Sequence, residues 1–192
     1  MPKQRITKDM VIEAAFELAR EGGGDQVIVK NIAGKLGCSV QPIYSYCSNM
    51  ETLKQEVAER TGRFFKEYVA EHMEPSDYFK SIGRSYVSLA REEPNLFKMY
   101  FMRRREGAGS LEEIYRQESS PQVAEFLAEE HHISLEAARR LHYHMITYTM
   151  GISFILASAG PEISAGQVME QMEEAYEALS ARIKGETKET AE

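Results

Sequence analysis

The stretch VKNIAGKLGCSVQPIYSYCSNMETL, residues 29–53, decides the fold. A short helix is expected from about Val29 to Leu36, stopping at Gly37, because glycine enters the left-handed conformation that residues with a side chain resist. Ser39 follows as the N-cap of a second short helix with Pro42 in its first turn, where a missing N–H removes no intrahelical bond. Ser48 and Glu51 then stand at capping-box spacing and open a long helix carrying Leu53, Val57, Phe64, Tyr68 and Val69. Upstream, VIEAAFELAREGG, residues 11–23, belongs to a helix from about Lys8 to Glu21. Thr7 is its N-cap, Asp9 complements its dipole, and Val11, Ile12, Ala15, Phe16, Leu18 and Ala19 form a broad buried face. Gly22, Gly23 and Gly24 end it. Two short helices joined by a tight turn and packed on a preceding helix match the helix-turn-helix plan, in which the second short helix enters the major groove of DNA.

Outward from this stretch the pattern stays helical. Val27, Ile28 and Val29 are the one β-branched cluster, and without a partner strand they read as a loop entering a helix. Apolar residues at three- and four-residue spacing place further helices at about 76–91, 94–104 and 121–130, some separated by loops rich in Gly and Ser. Ser134 caps a helix reaching Ala159, where Gly160 and Pro161 form a stop. Ser164 and Gln167 make a second capping box, after which Val168, Met172, Ala175, Leu179 and Ile183 draw one stripe along the final helix. The expected class is all-α. Residues 1–48 form the helix-turn-helix domain, linked through a helix at about 49–73 to a body spanning 49–184, and 185–192 form a disordered polar tail.

Composition bounds the function. Hydrophobic residues make up 43% of the chain and charged residues 28%, ordinary values for a globular protein. The N-terminus has no apolar leader core, and the longest apolar run, roughly 145–159, is too short and too interrupted to span a bilayer, so a cytoplasmic protein without membrane contact is expected. The net charge of −7 is unusual for a protein that neutralises phosphates. Its distribution resolves the conflict. Within residues 1–60 the bases Lys3, Arg5, Lys8, Arg20, Lys30, Lys35, Lys54 and Arg60 match the acids Asp9, Glu13, Glu17, Glu21, Asp25, Glu51, Glu56 and Glu59 one for one, so the acidic excess lies after residue 60.

No nucleophile elbow, phosphate-binding glycine loop or paired-carboxylate motif is present, so nothing in the sequence speaks for catalysis or a cofactor. Cys38 and Cys47 read as small hydrophobes, with oxidant sensing as the alternative. His142 and His144 diverge along a helix, and the adjacent His131 and His132 lack chelating spacing, so no metal site is expected. Arg103 to Arg105 read as a solvated helix end, with anion recognition as the alternative.

The two quoted segments resemble the DNA-binding region of the TetR/AcrR family of transcriptional regulators. The resemblance rests on Ala14–Ala15 in the first helix, Ile32–Ala33 in the second, and the run from Gly37 through Ser39, Ile43, Tyr44 and Tyr46 to Glu51 and Leu53. It implies a homodimeric, ligand-responsive regulator, a repressor in its usual form, which binds a palindromic double-stranded operator and is released by an unidentified small-molecule effector. By the same resemblance Ser39, Val40, Gln41, Pro42, Tyr44 and Ser45 meet DNA, with Gln41 as the base reader because its amide pairs bidentately with adenine. Thr7, Lys30 and Asn49 are phosphate contacts. Tyr46 reads as a core residue holding the short helix against the first one, with DNA contact as the alternative.

The family implies a ligand cavity, for which Phe64, Tyr68, Tyr86, Phe97, Tyr100, Phe101, Met145 and Tyr148 are the candidate lining residues, suited to an apolar or aromatic compound. It also implies dimerisation through the helices at about 135–159 and 164–184, where Gly151, Ala157 and Ser158 permit close approach; burial of those helices within one subunit is the alternative. Three departures bear on DNA binding: Ile28 replaces a common hydroxyl residue, Cys47 an aromatic, and Met50 a phosphate-binding lysine. The competing function is therefore a module of the same fold that binds a small molecule or protein with weakened DNA binding.

Overall fold

The computed structural model describes residues 6–46, 49–105, 107–158 and 163–189, and among these the chain is helical without a strand. The helices are α1 (Lys8–Gly22), α2 (Val29–Leu36), α3 (Gln41–Tyr46), α4 (Met50–His72), α5 (Tyr78–Glu92), α6 (Pro94–Phe101), α7 (Leu111–Glu118), α8 (Pro121–His131), α9 (Leu135–Ser158) and α10 (Ala165–Glu189). Single 3-10 turns occupy Gly24–Gln26 and Pro75–Asp77. The all-α expectation holds. No described helix is long and apolar enough to cross a membrane.

The chain divides into two compact units, one of residues 1–71 with 89–103 and the other of 72–88 with 104–192. This differs from the break expected after residue 48. Burial is the reason: Leu53, Val57 and Phe65 of α4 and Leu96 and Phe97 of α6 are sealed in the same unit as Val11, Phe16, Ile32 and Ile43. In the second unit α9 packs on both α8 and α10, around a core of Val123, Leu127, Leu141, Met145, Tyr176 and Ile183. A second cluster there joins Val87, Leu156, Val168 and Met172.

Several helix ends depart from expectation. At α4 the cap is Asn49, whose side-chain oxygen accepts the Thr52 N–H at 2.8 Å; Ser48, the expected cap, and Cys47 lie outside the described residues. At α3 the Val40 carbonyl accepts the N–H groups of Ile43 and Tyr44 at 3.2 and 3.3 Å, so the helix opens one residue beyond an Ser39 cap. Helix α7 falls between the expected helices at about 94–104 and 121–130, where none is expected; Ser110 and Glu113 close a full capping box at its start. Helix α10 extends to Glu189, past the expected start of a tail at 185. Gly160 and Pro161 also lie outside the described residues.

Candidate nucleic-acid interface

The first unit holds α3 up from below. Ile43 is fully buried and roots the helix, while Val40, Gln41, Tyr44 and Ser45 are exposed, Tyr44 by 61% and Val40 by 43%. Pro42 is half-buried and Ser39 exposed. The turn before α3 depends on Gly37, whose backbone sits at φ 63°, ψ 30°. There the Cys38 N–H donates to the Ala33 carbonyl at 3.0 Å and the Gly37 N–H to that of Gly34 at 3.2 Å, satisfying the last carbonyls of α2. A side chain at Gly37 would meet open space, so conformation and not room requires glycine. At the far end of α3, Tyr46 donates its hydroxyl to the Ile6 carbonyl at 2.8 Å and is 37% exposed. It therefore tethers α3 to the segment leading into α1 and is not a core residue.

The residues expected at phosphates are each exposed, and two already serve as caps. The Thr7 side chain accepts from the Met10 N–H at 3.3 Å, and Asn49 caps α4. Lys30 is exposed in the first turn of α2, with no ion pair among the described residues. Three further bases of this unit are held by its own acids: Lys8 by Glu56 at 2.6 Å, Lys35 by Glu21 at 2.7 Å and Arg60 by Glu13 at 2.9 Å. Ile28 precedes α2 without a side-chain cap and is 46% exposed.

Of the residues expected to line a ligand cavity, Phe64, Tyr68, Phe97, Tyr100 and Phe101 gather in the first unit. Their centre is Phe65, whose ring lies 5.3 Å from Tyr100 and 5.8 Å from Phe101. Tyr100 also reaches to where a side chain on Gly62 would stand, 2.9 Å from its hydroxyl. Tyr68 donates to Glu92 at 2.9 Å. Phe97 is fully buried, a packed core residue. Met145 and Tyr148 belong to different clusters of the second unit, and Tyr86 is half-buried on α5. An open depression of about 290 Å³, lined by Asp9, Ile12, Glu13, Arg60, Arg63 and Glu67, includes none of the eight.

Sequence reasoning missed two partly buried polar pairs in the second unit. The His142 ring nitrogen Nδ1 lies 2.9 Å from the Tyr115 hydroxyl, and burial pushes His142 down to about 4. His131 Nε2 meets the Tyr176 hydroxyl; burial lowers the histidine and raises the tyrosine. Partners 27 and 45 residues apart leave no local signal. No group of three potential metal ligands occurs among the described residues.

An exposed short helix, set by a left-handed glycine on a buried scaffold and joined to a wholly helical remainder, defines an all-α helix-turn-helix protein. No protein-family model matches the chain. It is 30% identical over 104 residues to tetracycline repressor protein class D of Escherichia coli, and equally to tetracycline repressor protein class H of Photobacterium damsela subsp. piscicida. The matched segment is 54% of this chain and 44% of each relative, so the chain spans less than half the length of the curated relatives it matches. Over the matched segment the chain is similar to these two tetracycline repressors, and its helical fold with an N-terminal helix-turn-helix agrees with that similarity.

Proposed function

We propose that the protein is a ligand-responsive transcriptional repressor that reads a palindromic operator as a homodimer and leaves it when a small-molecule effector binds. The observation that carries this reading is the exposure of Val40, Gln41, Tyr44 and Ser45 above a fully buried Ile43. A short helix rooted by one apolar side chain, with its polar and aromatic side chains facing outward, has the form of a major-groove reading head. Thr7, Lys30 and Asn49 then contact phosphates, and Ser39 and Pro42 fix the approach of the helix. The similarity to two tetracycline repressors supports repression; their ligand is theirs, and the effector of this chain is a separate question.

Dimerisation is supported by the outer faces of α9 and α10. Thr147, Gly151, Ile155 and Ser158 form one exposed stripe of α9, with Ile155 59% exposed, and Gln171, Glu174, Ala178 and Ala181 form one on α10. Gly151 and Ser158 on α9 and Ala178 and Ala181 on α10 are small enough to allow helices to approach closely, and an isologous pairing of two copies buries Ile155. Two reading heads about 34 Å apart then address half-sites one helical turn apart. The effector is bound among the aromatic side chains that gather in the first unit, Phe64, Tyr68, Tyr100 and Phe101, and a coupling of about 1–3 kcal/mol lowers operator affinity roughly 5- to 150-fold.

A second reading, a module of this fold with weakened DNA binding, is favoured by Ile28 and Met50, which supply neither hydroxyl nor charge where phosphates pass. Selection of duplexes from a random pool separates the two. Recovery of a palindrome supports the repressor; salt-sensitive binding without sequence preference supports the module.

A further inference from the structure

Half of the bases in residues 1–60 are neutralised within the first unit. Lys8 pairs with Glu56, Arg20 with Glu93, Lys35 with Glu21 and Arg60 with Glu13. Between Lys35 and Glu51 the sequence has no Arg, Lys, Asp or Glu, so α3 and both of its flanks carry no charged side chain. A protein that approaches a duplex draws much of its affinity from cations that displace counterions from the phosphates. The bases left for that task are Lys30 and Lys54, both exposed, together with Lys3 and Arg5.

A contact at the end of α3 bounds where the last two stand. The Tyr46 hydroxyl donates to the Ile6 carbonyl at 2.8 Å, across 40 positions of sequence. Residues 1–5 lie outside the described residues, but covalent geometry limits their distance from that carbonyl. With consecutive Cα atoms about 3.8 Å apart, the Arg5 Cα lies within about 4 Å of that of Ile6, and the Lys3 Cα within about 11 Å. Both cations therefore stay near the end of α3, whatever path the chain takes. On the other side of Ile6, Thr7 opens α1 with an exposed side chain at the place already assigned to a phosphate. The Tyr46 bond adds little to the packing of α3, since the Tyr46 side chain is 37% exposed and the buried Ile43 already roots the helix. What it fixes is the backbone next to Arg5.

Resting on the DNA-binding reading above, we propose that Lys3 and Arg5 contact phosphates flanking each half-site, and that Tyr46 is the positioning residue that holds their segment at the end of α3. The pair supplies charge that Met50 does not.

The test is the salt dependence of binding to a mixed-sequence duplex, measured on the full chain by fluorescence anisotropy. Lys3→Ala/Arg5→Ala is expected to lower the slope of log affinity against log salt by about 1.8 for each reading head on the duplex, with base preference in a random selection unchanged. Tyr46→Phe keeps the ring and removes only the hydroxyl, and thermal melting checks that the fold is retained. It is expected to weaken binding by up to about tenfold, the contribution of one hydrogen bond, and to move the slope in the same direction. In the Lys3→Ala/Arg5→Ala background the Tyr46→Phe loss disappears, because the tether then positions no charge. An unchanged slope in Lys3→Ala/Arg5→Ala overturns the proposal while leaving DNA binding intact. A Tyr46→Phe loss of full size in that background makes Tyr46 a DNA contact in its own right and overturns its positioning role. A wild type that binds no duplex overturns the DNA-binding reading as well.

Discussion

Glu93, at the start of α6, receives the Arg20 guanidinium from the last turn of α1: Nε lies 2.9 Å from both carboxylate oxygens, and Nη2 reaches one of them. The neighbouring Asn95 side chain donates to the Arg20 carbonyl at 3.0 Å, so α6 both neutralises and caps the end of α1. The scaffold beneath the reading helix is thus closed by residues more than 70 positions away, such as Arg20 and Glu93, separated by 73.

Replacing Glu93 by Ala removes a largely buried carboxylate and leaves Arg20 without its fork. The expected destabilisation is about 1–2 kcal/mol, at the lower end for charged hydrogen bonds because the Arg20 side chain is 43% exposed and solvent screens the pair. Lys35→Ala breaks a more exposed surface pair with Glu21 and is expected to cost under about 1 kcal/mol. Urea melts of both variants check the order; equal losses would remove the special place given to Glu93.

The buried imidazole of His142 makes stability pH-dependent. Its folded pKa is lowered to about 4 by burial, against about 6.5 when unfolded, with Tyr115 and Phe79 as its ring neighbours. Above pH 6.5 both states are neutral at this group, so it contributes no dependence; as pH falls toward 4 the unfolded chain takes up a proton that the folded one refuses. Stability therefore declines over that window by about 3 kcal/mol from this group alone. The measurement is the difference between wild type and His142→Phe in urea midpoints at pH 7 and pH 4.5, and a difference independent of pH contradicts it.

Two glycines of the turn region should respond oppositely to alanine. Gly37 has a positive φ of 63°, so Gly37→Ala is strained and costs about 1 kcal/mol although nothing occupies the space. Gly34 lies inside α2 with nothing within 4 Å of an added Cβ, so Gly34→Ala is expected to raise stability by about 0.5–1 kcal/mol. Thermal melts separate the two.

If two copies pair through α9 and α10, Ile155→Glu places a charge on the apolar stripe and shifts the protein toward monomer. Sedimentation reads this, with binding to a palindrome weakened far more than binding to a single half-site. An unchanged dimer would move the interface elsewhere.

Much of the reading head was legible because its determinants are local. Gly37 and Pro42 punctuate α2 and α3 whatever surrounds them, and Ile43 is the apolar residue that must face inward. One-residue phases were harder: Ser48 and Asn49 are adjacent cap formers, and only the path of the chain selects Asn49. Helix α7 carried a readable Ser110–Glu113 box, but Leu111, Ile114 and Tyr115 are too few apolar residues to announce eight helical ones. The extension of the first unit to α6 was illegible, since the Arg20–Glu93 and Phe65–Phe101 contacts depend on tertiary packing. The aromatic candidates for a ligand cavity were found as a composition, and the structure distributes them between two units.

The account rests on α3 meeting bases while its surroundings meet phosphates. Fluorescence anisotropy with a selected operator and single-base variants of it, for wild type, Gln41→Ala and Lys30→Ala, measures that division of roles. Gln41→Ala is predicted to lose discrimination at one base pair of each half-site, worth about 1–3 kcal/mol, whereas Lys30→Ala weakens every duplex alike and flattens the salt dependence. Indistinguishable effects of the two substitutions, or a wild-type protein indifferent to sequence, would contradict it.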